Sequence, residues 1–310
     1  MSENKNSFVK KYKGELILLM ITLFWSATFV IVKESLNDIS SMLFVGFRFL
    51  IAGLIIFPFV LRRKIDFRSI NLKLPIILGI LLFLGFSAQT IGLRYTSATK
   101  SAFLTGSAVI IIPILQTIIE RRKPNKGSVI GVVVVLLGIL LLSGGNSIYT
   151  LLEDLVTNFN FGDGMTLICA FFFAYYVVYL DVLSNKYDFW LLLMIQISVT
   201  TILSFFFAII FDVTGFEEIK FDFSANLGLA ILYTAIFATL VTTALQTKYQ
   251  KLVSPTKAGI VYSFEPIMAA IIAFLAIGER ITTFGFIGAA LIFTGLIIYE
   301  TFDGFVKTEE

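Results

Sequence analysis

The sequence is a succession of apolar runs that are each long enough to cross a lipid bilayer. A hydrocarbon core of about 30 Å requires about 20 apolar residues in a helix that rises about 1.5 Å per residue. With 57% hydrophobic and 15% charged residues, the chain is much more apolar than a soluble domain. We therefore predict an all-α polytopic membrane protein with ten transmembrane helices. The predicted spans are residues 14–35, 40–61, 74–95, 98–120, 127–143, 164–184, 188–212, 225–249, 253–277 and 282–301.

One run, residues 252–280, carries a charge and a helix breaker at its centre, Glu265 followed by Pro266. A carboxylate at bilayer depth costs roughly 2.5–3.5 kcal/mol on insertion scales. Pro266 has no N–H for the carbonyl of Tyr262, and protein or a wet cavity must satisfy a backbone group freed at that depth. The pair predicts either a water-accessible site with a movable turn, or a packing kink around a protonated and hydrogen-bonded Glu265.

The residue types that are absent exclude several classes of protein. The chain has no histidine and one cysteine, Cys169, which excludes intrachain disulfides and clusters of cysteine and histidine on a metal. No G-x-x-x-x-G-K-[ST] loop is present, which argues against a primary pump. The net charge of +3 comes from the loops and does not indicate nucleic-acid binding. We therefore expect no enzymatic activity, no metal and no cofactor, and a lipid bilayer as the surroundings.

The distribution of basic residues in the loops predicts the orientation. If the N-terminus is cytoplasmic, 18 of the 24 lysines and arginines lie on the inner side and 5 on the outer side, while Arg48 lies within a span. This bias predicts a multi-pass protein of the cell membrane with both termini in the cytoplasm.

The chain repeats itself at an offset of 157 residues. With five spans in each half, an odd number, the second half must enter the membrane from the opposite side. We therefore predict two inverted five-helix repeats, an arrangement found in secondary transporters with a substrate site near the midplane. The predicted units are residues 1–144, an extracytoplasmic linker at 145–163, and residues 164–310. The matching positions are Gln89 and Gln246, Thr90 and Thr247, Ser97-Ala98-Thr99-Lys100 and Ser254-Pro255-Thr256-Lys257, Gly131 and Gly288, and Gly138 and Gly295.

Several motifs give the chain a resemblance to a known family. The motifs are Trp25-Ser26, Phe47-Arg48-Phe49-Leu50, AQTIGLRYTSATKSAFLTG at 88–106, LQTKYQKLVSPTKA at 245–258 leading into SFEP, and Gly278-Glu279-Arg280. With these, the sequence resembles the EamA-type permeases of the drug/metabolite transporter superfamily, over nearly the whole chain. The resemblance implies ten spans in two homologous halves and a secondary transporter, often an exporter of amino acids, amines or other small metabolites. One departure is that the first half has Arg122-Lys123 where the second has Glu279-Arg280.

Arg48 and Glu265 are the two ionisable residues placed well inside predicted spans. Their distances from the outer ends of their spans, about 12 Å and about 18 Å at 1.5 Å per residue, put them at similar depth. Arg48 could then bind a substrate carboxylate or serve as the counter-charge of Glu265. Alternatively, the two form a structural ion pair that fixes helix packing without adding stability.

Polar and aromatic residues inside the spans suggest a cavity. Gln196, Thr200 and Ser204 recur every four residues and so share one helix face. Such a stripe either lines a cavity or hydrogen-bonds a neighbouring helix, and an aromatic cavity would suit amine or aromatic substrates through cation–π contacts. The candidate substrate-cavity residues are Trp25, Thr28, Arg48, Gln89, Tyr175, Tyr179, Gln196, Gln246, Tyr262 and Glu265, and the candidate coupling and gate residues are Glu265 and Pro266.

The fifth and tenth spans differ from the others. Residues 129–142 carry no polar side chain, and glycines seven residues apart, at 131 and 138 and at 288 and 295, offer smooth faces for close packing. These two spans are predicted to be scaffold. The whole pattern predicts a secondary transporter that moves a small-molecule substrate by alternating access, with protons as candidate coupling ions, and the resemblance implies export across the cytoplasmic membrane. The alternatives are an uncoupled facilitator or channel and a membrane-embedded sensor.

The inverted topology predicts the side from which single cysteines react. In a Cys169→Ser background, cysteines placed at Asn146 and Lys64 should react with a membrane-impermeant thiol reagent from opposite sides of the membrane. The measurement is labelling in right-side-out and inside-out vesicles. Labelling of both positions from the same side would refute the inverted arrangement.

Overall fold

The protein is a bundle of α-helices. The computed structural model describes residues 12–63, 70–121, 125–143, 149, 153, 157–277 and 282–306. Within these ranges, the β pairing is limited to one isolated antiparallel bridge between Ile39 and Phe221. Most of the predicted linker and the Gly278-Glu279-Arg280 motif lie outside the described residues.

Fourteen α-helices follow one another along the described chain, with one π-helical segment at Ile236–Val241 and one 3₁₀ turn at Gln250–Leu252. The first seven are α1 Lys13–Ser26, α2 Thr28–Ser35, α3 Ser41–Leu61, α4 Lys73–Tyr95, α5 Ala98–Gly106, α6 Ala108–Glu120 and α7 Lys126–Ser143. The second seven are α8 Phe161–Ser184, α9 Phe189–Thr214, α10 Ala225–Ala235, α11 Thr242–Tyr249, α12 Pro255–Tyr262, α13 Glu265–Ile277 and α14 Thr283–Val306.

These helices confirm a polytopic membrane protein. In the described part of the chain, eight helical stretches are long and apolar enough to cross a membrane. A shorter apolar helix, Lys126–Leu142, lies between them. The remaining predicted span, residues 253–277, is divided into α12 and α13. The count of ten spans and the inversion of the halves stay predictions.

The start of α8 differs from its predicted position by three residues. The helix begins at Phe161 because Asn160 caps it. The Asn160 side chain accepts from the Asp163 N–H at 3.1 Å, and the Asp163 carboxylate accepts from the Asn160 N–H at 2.9 Å. This reciprocal pair is a capping box, and its Asn-x-x-Asp signature is visible in the sequence.

Contacts between loops and helix ends define two ends of the bundle. At one end, the Thr96 hydroxyl donates to Asp163 at 2.5 Å, and Arg94 forms an ion pair with Glu217 at 2.7 Å. We call this the Asp163 end. At the other end, Lys257 forms an ion pair with Glu15. We call this the Glu15 end, and the helices run between the two.

The glycines of α7 and α14, predicted to offer smooth faces for close packing, lie against each other. A Cβ atom on Gly131 would lie 2.8 Å from the carbonyl oxygen of Gly295, and one on Gly138 would lie 2.7 Å from that of Gly288. Position 131 therefore meets 295 while 138 meets 288, which makes the two helices antiparallel. With no side chains between them, the backbones approach closely enough for van der Waals packing. We call this contact of the four glycines the α7–α14 seam.

The seam predicts a large difference between two Gly→Ala substitutions. A Cβ on Gly288 would lie 2.5 Å from both the Gly138 oxygen and the Leu142 nitrogen, so backbone must move. We expect Gly288→Ala to lower the free energy of unfolding by about 1–3 kcal/mol, as overpacking does. In Gly228→Ala the nearest atom, on Phe223, is 3.5 Å away, and we expect no loss. Thermal unfolding in detergent measures both, and equal melting temperatures would contradict the seam.

Candidate functional site

A cavity lies in the middle of the bundle, where two broken helices meet. It has a volume of about 80 Å³, which is room for several water molecules at about 10–15 Å³ each. Glu265 is the one charged side chain that lines it among the described residues. The lining residues are Trp25, Thr28, Leu82, Phe86, Gln89, Thr105, Gly106, Ala108, Val109, Ile112, Phe173, Tyr176, Val177, Thr243, Gln246, Gly259, Tyr262, Ser263 and Glu265.

The break between α12 and α13 places Glu265 on this cavity. The first helix ends at Tyr262 and the second begins at Glu265, so the carboxylate lies at a helix N-terminus, whose N–H groups favour negative charge. Pro266 lies in the same first turn, where its missing N–H costs no helical hydrogen bond. The break therefore falls at Ser263 and Phe264, just before the proline that predicts it.

A matching break separates α5 from α6 on the cavity wall. The first of these helices ends at Gly106, and Ser107 separates it from the next. The Ser107 hydroxyl donates to the Leu104 carbonyl at 2.6 Å, and the Ser263 hydroxyl donates to the Gly259 carbonyl at 2.9 Å. Each hydroxyl thus provides a donor for a carbonyl beside an interrupted helix.

The carboxylate of Glu265 has no hydrogen-bond or ion-pair partner among the described residues. A buried charge without a partner is costly. In a cavity with room for water or a ligand, such a carboxylate is available to bind a proton or a cation.

Aromatic rings and glutamines surround this carboxylate. Trp25 packs on Tyr262 with ring centroids 5.4 Å apart. The Tyr262 hydroxyl accepts from Gln246 Nε2 at 2.9 Å and donates to Gln250 Oε1 at 3.0 Å. These bonds hold the ring in place, and the faces of such rings attract cations.

Arg48 is buried beside the cavity but does not line it. Its Nε donates to the Thr239 hydroxyl at 2.8 Å and its Nη2 donates to the Ala238 carbonyl at 3.1 Å. Both acceptors belong to the π-helical segment. Within the described ranges, no ion pair joins Arg48 to Glu265, so the hypothesis of a direct pair does not match this arrangement.

The Ala238 carbonyl also accepts from Trp25 Nε1 at 3.3 Å. One carbonyl therefore receives hydrogen bonds from Arg48 and from a residue of the cavity wall. Through this shared acceptor, Arg48 supports the position of Trp25 without facing the cavity.

Six of the ten candidate residues lie together on the cavity: Trp25, Thr28, Gln89, Gln246, Tyr262 and Glu265. The other four lie outside its lining: Arg48, Tyr175, Tyr179 and Gln196.

The tyrosines of α8 differ by one helical position from the prediction. Tyr175 and Tyr179 stack on each other with centroids 6.0 Å apart, whereas Tyr176 lines the cavity. One residue rotates a side chain by about 100° around a helix with 3.6 residues per turn. Gln196 lies behind Tyr176 and accepts from its hydroxyl at 2.8 Å.

Two lining residues that the sequence analysis missed have a visible signal. Thr105 and Ala108 stand 157 positions before the predicted site residues Tyr262 and Glu265. Transferring the predicted site across the repeat identifies both. For the aromatic lining residues Phe86 and Phe173, no signal distinguishes them from the other phenylalanines.

The fold is that of a multi-pass membrane protein with a central cavity. The profile of the EamA-like transporter family matches residues 12–144 and 160–301. The chain belongs to this family and is a membrane transporter rather than an enzyme.

Known relatives agree with this assignment. The chain is 32% identical over 290 residues to an uncharacterized transporter of Archaeoglobus fulgidus, covering 94% of this chain and 86% of the relative. It is 23% identical to the uncharacterized transporter YoaV of Bacillus subtilis, covering 91% and 94%. A solved crystal structure with 17% identity shares the fold, with a TM-score of 0.71 over 93% of this chain and 97% of its own.

The contacts of Arg48 predict a structural effect of its substitution. Arg48→Lys removes the planar fork that reaches both Thr239 and Ala238, and we expect it to lower the free energy of unfolding by about 2 kcal/mol or more, since charged hydrogen bonds contribute about 1.5–3 kcal/mol each. Folded protein and total transport should fall together. Thr239→Val, which removes one acceptor, should cost less.

The measurement is thermal unfolding together with transport per folded molecule. Normal stability of Arg48→Lys with weakened transport would contradict the structural role and would favour binding of an anionic substrate group.

Proposed function

We propose that this protein is a secondary transporter that exports a small, positively charged metabolite across the cytoplasmic membrane by alternating access. The observation that carries the proposal is the Glu265 carboxylate, which faces an aromatic cavity and has no partner in the part of the chain that the structure describes. A cationic amine complements both features, because it pairs with the carboxylate and is attracted to ring faces.

The position of Arg48 favours a cation over an anion. An anionic substrate would need a positive group on the cavity, and the guanidinium instead donates to Thr239 and Ala238. None of the described lining residues has a basic side chain. An amino acid would bind through its ammonium group, with its carboxylate group held by neutral donors such as Gln89 and Gln246.

Alternating access is proposed to come from ten spans in two inverted halves of five. Support comes from the two matched ranges of the family profile, 12–144 and 160–301. Further support comes from the two breaks, since Gly106 and Ser263 both line the cavity and stand 157 positions apart. The excess of basic residues in the loops at the Glu15 end supports a cytoplasmic location for that end.

Glu265 is also the proposed coupling residue, with Pro266 at the hinge. One carboxylate can hold a proton or pair with an ammonium group, but it does not hold both. Exchange of one for the other as the cavity opens to each side would couple proton entry to substrate exit. The interrupted backbone at Ser263 and Phe264 gives α13 freedom to tilt relative to α12.

The proposal predicts the behaviour of Glu265→Gln. Glutamine has nearly the same volume as the protonated acid, so the variant should fold. It should lose pH-gradient-driven accumulation of amines and most of the amine exchange, because its neutral amide cannot form an ion pair with the ammonium group. The measurement is uptake into proteoliposomes with and without an imposed pH gradient, over a panel of small amines, zwitterions and carboxylates. Glu218→Gln, at an exposed position, is the matched control.

Three outcomes would contradict this assignment. If Glu265→Gln responds to the gradient as the parent does, Glu265 is not the coupling residue. If the parent ignores the gradient and its flux does not saturate, the protein is an uncoupled facilitator or channel. Selective binding of carboxylates, seen as thermal stabilisation of the parent, would refute the proposed charge of the substrate.

A further inference from the structure

Two lysine–carboxylate pairs occupy opposite ends of the bundle. At the Asp163 end, Lys100 Nζ lies 2.8 Å from Asp163 Oδ2. At the Glu15 end, Lys257 forms ion pairs with Glu15 and Glu300. Lys100 and Lys257 stand at the repeat offset of 157. Neither pair belongs to the described lining of the cavity.

The same local structure presents each lysine. Ser97 caps α5 and its side chain accepts from the Lys100 N–H at 3.1 Å. Ser254 caps α12 and accepts from the Lys257 N–H at 3.4 Å. Each lysine therefore lies in the first turn of a short helix, where a basic side chain is unfavourable unless it has an acidic partner.

The acidic partners are matched as well. Glu15 follows Gly14 and Asp163 follows Gly162, and each dipeptide lies in the first turn of its helix. A Cβ on Gly162 would lie 2.8 Å from the Thr96 nitrogen. A Cβ on Gly14 would lie 2.5 Å from Val253, which is the counterpart of Thr96 at the offset of 157. Both glycines thus allow the acidic helix to approach the segment before the lysine helix.

Each lysine helix reaches from an ion pair to the cavity. α5 runs from the Asp163 end to Gly106, and α12 runs from the Glu15 end to Tyr262, and both of these residues line the cavity. Five residues, about 8 Å of helix, separate Lys257 from Tyr262. Because each helix stops at a break, it can tilt without moving the helix that follows it.

We propose that Lys100 and Lys257 are the two gating residues of the transport cycle. The Lys100–Asp163 pair closes the Asp163 end and the Lys257–Glu15–Glu300 cluster closes the Glu15 end. The proposal rests on the alternating access proposed above. Ion pairs suit this role because water can solvate both partners when an end opens, so that opening leaves no buried charge unpaired. The backbones that meet in the α7–α14 seam would gain no comparable contact with water or lipid on separating, so the seam stays closed.

The test measures from which end the cavity is accessible. A reporter cysteine replaces Ala108, a partly exposed lining residue, in a Cys169→Ser background. A membrane-impermeant methanethiosulfonate reagent is applied to vesicles of each orientation. Lys100→Met should raise the labelling rate from the Asp163 end about fivefold, which corresponds to about 1 kcal/mol of closed-state stabilisation. Lys257→Met should raise the rate from the Glu15 end instead.

Control variants separate gating from loss of folding. Lys220→Met removes an exposed pair with Asp222 at the Asp163 end and should change neither rate. Asp163→Asn keeps an acceptor for the Asn160 N–H and the Thr96 hydroxyl while it removes the charge, and it should therefore act like Lys100→Met. Each variant is compared at equal amounts of folded protein.

The gates are supported if Lys100→Met raises the labelling rate from the Asp163 end and Lys257→Met raises it from the Glu15 end. The gates are overturned if both variants raise the labelling rate from the same end. They are also overturned if both variants fold and label at the parental rate while the parent transports substrate. The proposed function itself fails if the reporter cysteine in the otherwise unchanged protein reacts from one end only and no substrate is transported. This result is separate from a failure of the gates because it does not involve the lysine variants.

Discussion

The need to hydrogen-bond every backbone group inside a bilayer governs this structure. Helices satisfy that need internally, and an interruption is tolerated only where protein or water replaces the lost partner. The interruptions observed here face the interior. Ser107 and Ser263 donate to nearby carbonyls beside the cavity. The Ala238 carbonyl of the π-helical segment accepts from Arg48 and Trp25. The irregular backbone and the candidate site therefore coincide for a physical reason.

The sequence could predict those features that follow from the chemistry of a single residue or from a short local pattern. The apolar runs predict the class of protein, the spaced glycines predict a smooth packing face on both α7 and α14, and Glu265 with Pro266 predicts a break beside a charge. Each of these features can be predicted because it depends on residues of one helix alone, or on a helix face that lacks side chains. The repeat offset also carries information on the site, because it relates Gly106 to Ser263.

Features that depend on the rotation of a helix or on a distant partner could not be predicted. Tyr175 and Tyr176 are chemically identical, and their helix phase decides which one lines the cavity. The acceptors of Arg48 lie on a π-helical segment that has no proline or glycine to mark it. A depth estimate places Arg48 near Glu265 but gives no direction for its side chain. The pairing of charges in a membrane is decided by orientation as well as depth.

Two kinds of contact divide the bundle into parts with different freedom to move. The glycine seam brings backbone against backbone, so separating α7 from α14 would expose surface without giving either helix a new partner. The ion pairs at the two ends involve long side chains, whose charges water can solvate on opening. Motion in the proposed cycle is therefore expected in the broken helices α5–α6 and α12–α13, between a fixed seam and two polar ends. Glu265, at the start of α13, lies on the part that is free to move.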